Sequence, residues 1–229
     1  MNRTVQAILL FLLGGVLLHA GVSGLYLRYV KAGLQPLVLA AGAVLVLAAV
    51  ATAWYARRRP RGHPGPRVSW LLVLPVFALI LAAPPALGSY SAMRTGTAVT
   101  APRIVAPLPA GNPVGLTVID YADRAVYDHG RSLAGRTVTL TGFVAFDHAG
   151  VPYLVRMLLN CCAADAQPVK VGLTGRVPPV LQPDSWFEIT GAYSAQAVPD
   201  PVNGGTIPFV EVGSARPVAA PADPYESLG

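Results

Sequence analysis

The chain has 229 residues, of which 53% are hydrophobic and 12% charged, with a formal net charge of +6. Such a composition argues against a wholly soluble protein and leaves room for roughly one membrane unit and one small domain. All eleven acidic residues stand at or after Asp120, so the remainder from there carries seven bases and a net charge of −4, the wrong sign for a nucleic-acid backbone partner.

Three uncharged runs come first, residues 4–27, 37–55 and 68–87. Each is long enough to cross a hydrocarbon core of about 30 Å as a helix. Pro36 predicts the start of the second helix, Pro75 a kink in the third, and Pro84-Pro85 its end. The first run has the outline of a signal peptide, with Arg3 before it and small residues at Ala20, Gly21 and Ser23. Its length and the interfacial pair Tyr26 and Arg28 favour a retained span.

Arg57, Arg58, Arg59, Arg61 and Arg67 lie between the second and third runs without a single acid. The positive-inside rule then puts that loop and the N-terminus in the cytoplasm and everything after the third span outside a bacterial cell membrane. These arginines are read as a topology signal and lipid-headgroup contacts, not as a catalytic patch. His19, inside the first span, is a candidate intramembrane polar site; the plainer reading is a neutral imidazole bonded to a neighbouring helix. Gly14, Gly15, Gly21 and Gly24 on the first helix and Ala40, Ala41, Gly42, Ala43, Ala48 and Ala49 on the second predict close helix packing. Three helices are too few to transport a solute alone, so they are expected to dock on a larger membrane partner.

Residues 88–115 are rich in Gly, Ser, Thr, Ala and Pro without apolar periodicity, and predict a flexible tether. Val118, Tyr121, Ala122, Ala125 and Val126 then recur at helical spacing, with Thr117 placed as cap and Gly130 as stop. Period-two alternation predicts strands over residues 136–147, 153–160, 169–173, 186–193 and 207–212, with mid-strand bends at Gly142 and Gly191. Five short strands in about 80 residues suit an OB-like closed barrel, with a compact sandwich as alternative. The fold expected is thus membrane α plus β: three transmembrane helices, then an extracytoplasmic β-domain over residues 116–218. The tail, residues 219–229, is expected to be disordered.

Both cysteines, Cys161 and Cys162, are adjacent and precede Asp165 in a short stretch between two strands. Neighbouring side chains on a strand point to opposite faces, so the two thiols share one site only if the chain turns there. One reading is a site for a soft metal ion such as zinc, with Cys161, Cys162 and Asp165 as ligands and His148 or His129 assisting. The paired C-x-x-C spacing of structural zinc sites is missing. A second reading is thiol redox chemistry through a strained disulfide between neighbours. A third is a pair of small buried residues at the end of a strand, with Asp165 bonding turn amides. Arg156, inside an apolar strand, is read as an outward charge or a partner for Asp147 or Glu188, and Trp186 as a rim aromatic. No triad, phosphate-binding glycine loop or paired-carboxylate arrangement is present, so the enzyme case is thin.

The stretches 135–144 (GRTVTLTGFV), 161–168 (CCAADAQP) and 186–191 (WFEITG), together with the helical anchor, resemble the YcgQ-type family of uncharacterised bacterial membrane proteins. The cysteine stretch is the specific part of the match. The resemblance implies a subunit of a two-component permease complex whose companion is a multi-helix YcgR-type permease, itself similar to permeases linked to metalloid export. It implies no catalytic residues. The function expected is an accessory, non-enzymatic permease subunit whose outer domain binds a substrate, an ion or the permease; a tethered thiol oxidoreductase and a purely structural module are the alternatives.

Overall fold

The computed structural model describes residues 3–58, 74, 77–78, 84–100 and 107–227. The chain divides into two compact units, residues 1–86 and 87–229.

The first unit is built on two apolar helices, α1 (Arg3–Ser23) and α2 (Gln35–Arg58), each long enough to cross a bilayer. α1 stops at Ser23, four residues before the end of its apolar run. Gly24 adopts a left-handed conformation (φ 79°) that a helix cannot continue through, and a 3-10 turn, Leu25–Arg28, follows. α2 opens with Pro36 in its first turn, where the missing N–H costs nothing, and carries Arg57 and Arg58 in its last, where the carbonyl end of the helix dipole favours cations. The Arg58 guanidinium lies 4.4 Å from the centre of the Trp54 ring.

The two helices pack through glycine. A Cβ on Gly14 would sit 2.8 Å from the carbonyl oxygen of Gly42 and equally close to Val46, so only hydrogen fits. Gly15 faces open space and takes no part. Gln35 Nε2 donates to the Gly21 carbonyl at 3.0 Å, tying the start of α2 to the end of α1. Of the third expected span, residues 74 and 77–78 are helical and residues 84–87 are not; the rest, with Pro75, and the loop residues Arg59, Arg61 and Arg67 lie outside the described residues. Two long apolar helices are therefore described where three spans are expected.

The second unit contains, in chain order, α3 (Ser89–Arg94), β1 (Val114–Gly115), α4 (Val118–Tyr127), β2 (Thr137–Phe146), β3 (Pro152–Leu159), β4 (Gln167–Gly175), β5 (Trp186–Pro199), β6 (Thr206–Pro217) and β7 (Tyr225–Ser227). Five strands close a barrel: β2 pairs antiparallel with β3 and β3 with β4, β4 runs parallel to β6, β6 antiparallel to β5, and β5 antiparallel back to β2. Closure removes the exposed strand edges that would otherwise invite aggregation. The alternating positions Val138, Leu140, Val144, Leu154, Val169, Val171, Ile189, Val210 and Val212 fill the interior. The register of β5 on β6 shifts between Thr190 and Gly191; a Cβ on Gly191 would lie 2.4 Å from the Glu211 carbonyl oxygen, so glycine permits the bulge.

α4 touches all five barrel strands and adds Val118, Tyr121, Ala122 and Ala125 to the same core. Its start is fixed by Thr117, whose side chain accepts from the Asp120 amide at 3.1 Å. The Tyr121 hydroxyl, fully buried, donates to the Phe209 carbonyl.

Two segments correct the sequence reading. Residues 88–100 do not form a tether: Ala92, Thr97, Ala98 and Val99 are buried, and the Ala98 amide donates to the Pro168 carbonyl at 2.8 Å. The buried Lys170 ammonium draws this segment in, donating to the Thr95 carbonyl and to Asp200 Oδ2 at 2.8 Å each. The other end of the stretch forms β1, which pairs parallel with β2; residues 101–106 lie outside the described residues. The tail is also ordered through residue 227, where β7 pairs parallel with residues 157–159 of β3 and buries Tyr225 and Glu226. Their anchors are long-range polar contacts, which leave no local pattern.

Candidate functional site

The cysteines stand where β3 ends. β3 runs to Leu159, the chain bends at Asn160 and Cys161, Cys162 is extended (φ −153°, ψ 169°), and a 3-10 turn, Ala163–Asp165, leads into β4. Asp165 draws the loop together. Its Oδ1 accepts from the Asn160 amide at 3.1 Å and its Oδ2 from the Cys161 amide at 2.8 Å. A short loop closed by a carboxylate on its own upstream amides is a known way for aspartate to stabilise a turn. It also supplies the turn that lets adjacent side chains converge.

The two thiols are free and their sulfurs are 3.6 Å apart. One donor atom from each of Cys161, Cys162 and Asp165 lies within 4.8 Å of the others, so ordinary side-chain rotation can bring all three to one ion. Cys161 is exposed, while Cys162 and Asp165 are half-buried. Hydrogen bonding to the Asp165 carboxylate, and next to Cys162, raises the Cys161 thiol to about 12. The same thiol contact, ahead of the backbone amides, holds the Asp165 carboxyl below its ordinary value. The loop thus presents two soft thiol donors beside a hard carboxylate.

The remaining sequence candidates lie elsewhere. His148 is exposed in the turn between β2 and β3, where Asp147 Oδ1 accepts from the Ala149 and Val151 amides. The cysteines follow the far end of the eight-residue β3, which spans about 26 Å, so His148 cannot join them. His129, exposed and left-handed (φ 51°) after α4, is not in the thiol group either. His19 is exposed on α1, off the face where Gly14 and Gly21 meet α2, rather than bonded to the neighbouring helix. Arg57 and Arg58 stay at the end of α2.

Arg156 also departs from its expected role. It is buried and points to Glu226, with Nε 3.7 Å from Oε1, and donates to the Tyr225 carbonyl at 3.1 Å. Its guanidinium lies 5.0 Å from the Trp186 ring centre, and Trp186 in turn meets Phe143 edge-on at 5.7 Å. Asp147 serves the β2–β3 turn and Glu188 pairs with Arg216 at 2.8 Å. Glu226, placed in the tail by sequence, accepts from the Val118 and Ile119 amides at 2.9 and 3.1 Å, satisfying the first turn of α4 from the opposite end of the domain. The Lys170–Asp200 pair is equally unforeseen, since a lysine between Val169 and Val171 reads as the polar half of an alternating strand. These groups position the domain, and none of them belongs to the thiol group.

Residues 114–226 match the model of the DUF1980 C-terminal domain, an uncharacterised family. The match begins at the first residue of β1 and ends on Glu226, so it takes in the barrel, α4, the cysteine loop and the tail contact that holds α4. No curated protein and no solved structure matches the chain.

Proposed function

We propose that the chain is a membrane-anchored, non-enzymatic subunit of a permease complex whose β-barrel domain captures a thiophilic metal or metalloid ion at Cys161, Cys162 and Asp165. The observation that carries this reading is the convergence of two thiols 3.6 Å apart with a carboxylate on one exposed loop. Buried structural cysteines would have no need of it.

Geometry weighs against the redox alternative. Adjacent residues joined by a trans peptide have Cα atoms about 3.8 Å apart, below the about 4.4–6.8 Å that a relaxed disulfide spans. Nucleophilic thiol chemistry also needs thiolate at working pH, and the Cys161 thiol is raised, not lowered. Ion binding also uses the thiolate, but there the incoming ion itself displaces the proton, so the raised thiol makes affinity fall as pH falls without abolishing capture.

The anchor supports a membrane setting. α2 leaves Leu37, Val44, Leu47 and Val50 more than half exposed, an apolar surface suited to lipid or to the helices of a larger partner. The arginine-rich stretch 57–67 and the positive-inside rule favour the barrel on the outer side of a bacterial cytoplasmic membrane. The resemblance to YcgQ-type proteins, and the OB-like reading of the barrel, are in keeping with an accessory subunit beside a YcgR-type permease.

Purification of the full chain from native membranes in mild detergent tests the proposal. A multi-span permease should accompany it, and elemental analysis should find a thiophilic ion that is lost in Cys161→Ser and in Cys162→Ser. A chain that carries no such ion after exposure to any thiophilic metal, and that never brings down a permease, would overturn it.

A further inference from the structure

Resting on that reading, we infer that the cysteine loop is an open, three-donor site for a tetrahedral, borderline-soft divalent cation of the zinc class, built to pass the ion on rather than to keep it. The inference comes from the spacing and number of the donors. With metal–sulfur bonds of about 2.3 Å, sulfurs 3.6 Å apart subtend an angle of about 100° at the ion, close to tetrahedral. A two-coordinate linear ion such as copper(I) would need them about 4.6 Å apart at the same bond length, so the two side chains would have to rotate away from each other and from their present spacing. Hard cations are disfavoured by the donor set, because calcium and magnesium take six or more oxygens and the loop offers a single carboxylate.

The number of donors decides between storage and transfer. Structural zinc sites close all four positions with protein ligands, whereas three protein ligands leave the fourth for water or an incoming group. Among the described residues no fourth His, Cys, Asp or Glu joins the group. Cys161 is exposed, so the open position faces solvent and an incoming donor from a partner can reach the ion by associative exchange. Asp165 is suited to this because its two oxygens already accept from the Asn160 and Cys161 amides, which keeps the loop closed whether or not a lone pair also binds the ion. Each thiol that binds releases its proton to solvent, and no oxidant or reductant is consumed.

Cobalt(II), a spectroscopic stand-in for zinc, tests this on the full chain in detergent under anaerobic, reducing conditions. One cobalt per chain should bind with the intense visible bands of a tetrahedral ion and a thiolate charge-transfer band, and zinc should displace it. Added imidazole should change the spectrum by entering the fourth position, and bound zinc should pass to a competing chelator within seconds. Cys161→Ser and Cys162→Ser should each weaken binding at least about tenfold, with unchanged circular dichroism. Tight copper(I) binding that zinc cannot contest, or an octahedral cobalt spectrum, would overturn the ion class. A tetrahedral spectrum indifferent to imidazole, with zinc released over hours, would overturn the open site while leaving ion capture standing. Failure to bind cobalt, zinc or copper(I) at all would overturn both.

Discussion

Asp165 holds the loop amides and a thiol proton at once, and that dual role gives the residue scale its sharpest prediction. Because its carboxylate stabilises the protonated form of Cys161, the thiol of the metal-free chain should stay protonated well past neutral pH and alkylate slowly. Asp165→Asn removes the charge, lets the thiol fall toward its ordinary value, and should speed iodoacetamide labelling of Cys161 at pH 8 by at least about tenfold, since rate follows thiolate fraction more steeply than it loses nucleophilicity. Peptide-resolved mass spectrometry reads this out; equal rates in both proteins would contradict it. Glu226 gives a pH prediction of the opposite kind. Burial pushes its carboxyl above the ordinary value of 4.5, against the pull of the Val118 amide and Arg156. Between that value and the raised one, the folded chain keeps a proton that the unfolded chain has released, so this group's contribution to stability is complete below the ordinary value and is lost as pH rises through the raised one. Denaturant titration from pH 4 upward should show that fall, and Glu226→Gln should flatten it.

At the scale of elements, polar contacts between distant segments decide what the barrel can hold down. Lys170 sits on β4 with its side chain wholly buried, and its ammonium meets the Thr95 carbonyl and Asp200, which also accepts from the Thr97 and Val202 amides. Removing one partner of a buried pair leaves an uncompensated charge at a cost of about 3–5 kcal/mol. Lys170→Met should therefore lower the unfolding free energy by that order and expose residues 95–99 to hydrogen exchange before the barrel strands; exchange that changes evenly over the whole domain would refute this role. The cysteine loop obeys the same logic at shorter range. Its length and its aspartate are readable in sequence, and so the turn that unites the thiols is predictable. So is the exclusion of His148, because the strand read over residues 153–160 already puts His148 and the cysteines at its opposite ends.

For the whole molecule, the closed barrel and the two apolar helices set the expectations that can be tested in cells. Leu140 is fully buried between β2 and the rest of the core, and Leu140→Ala should cost about 2–5 kcal/mol, measurable as a lower midpoint in chemical denaturation of the full chain. In spheroplasts, protease added from outside should degrade the barrel domain and leave the helices if the orientation proposed from the arginine pattern holds. Protection of the domain until the membrane is opened would reverse the proposed orientation. The match over residues 114–226 sharpens the architectural boundary: its ends fall on β1 and β7, two short strands that lie in the stretches taken from sequence as tether and tail.

Sequence alone determined the features that arise from near neighbours: the apolar runs of α1 and α2, the Thr117 cap of α4, the period-two strands of the barrel, and two adjacent thiols followed by an aspartate. Local propensity, hydrophobic period and loop length suffice for these, because the interacting groups are a few residues apart. Tertiary structure alone decided the rest. Glu226 reaches back about a hundred residues to the start of α4, and Lys170 with Asp200 anchors residues 95–97. Buried charges seek whatever partner the fold brings within reach, and no periodicity along the chain records that choice.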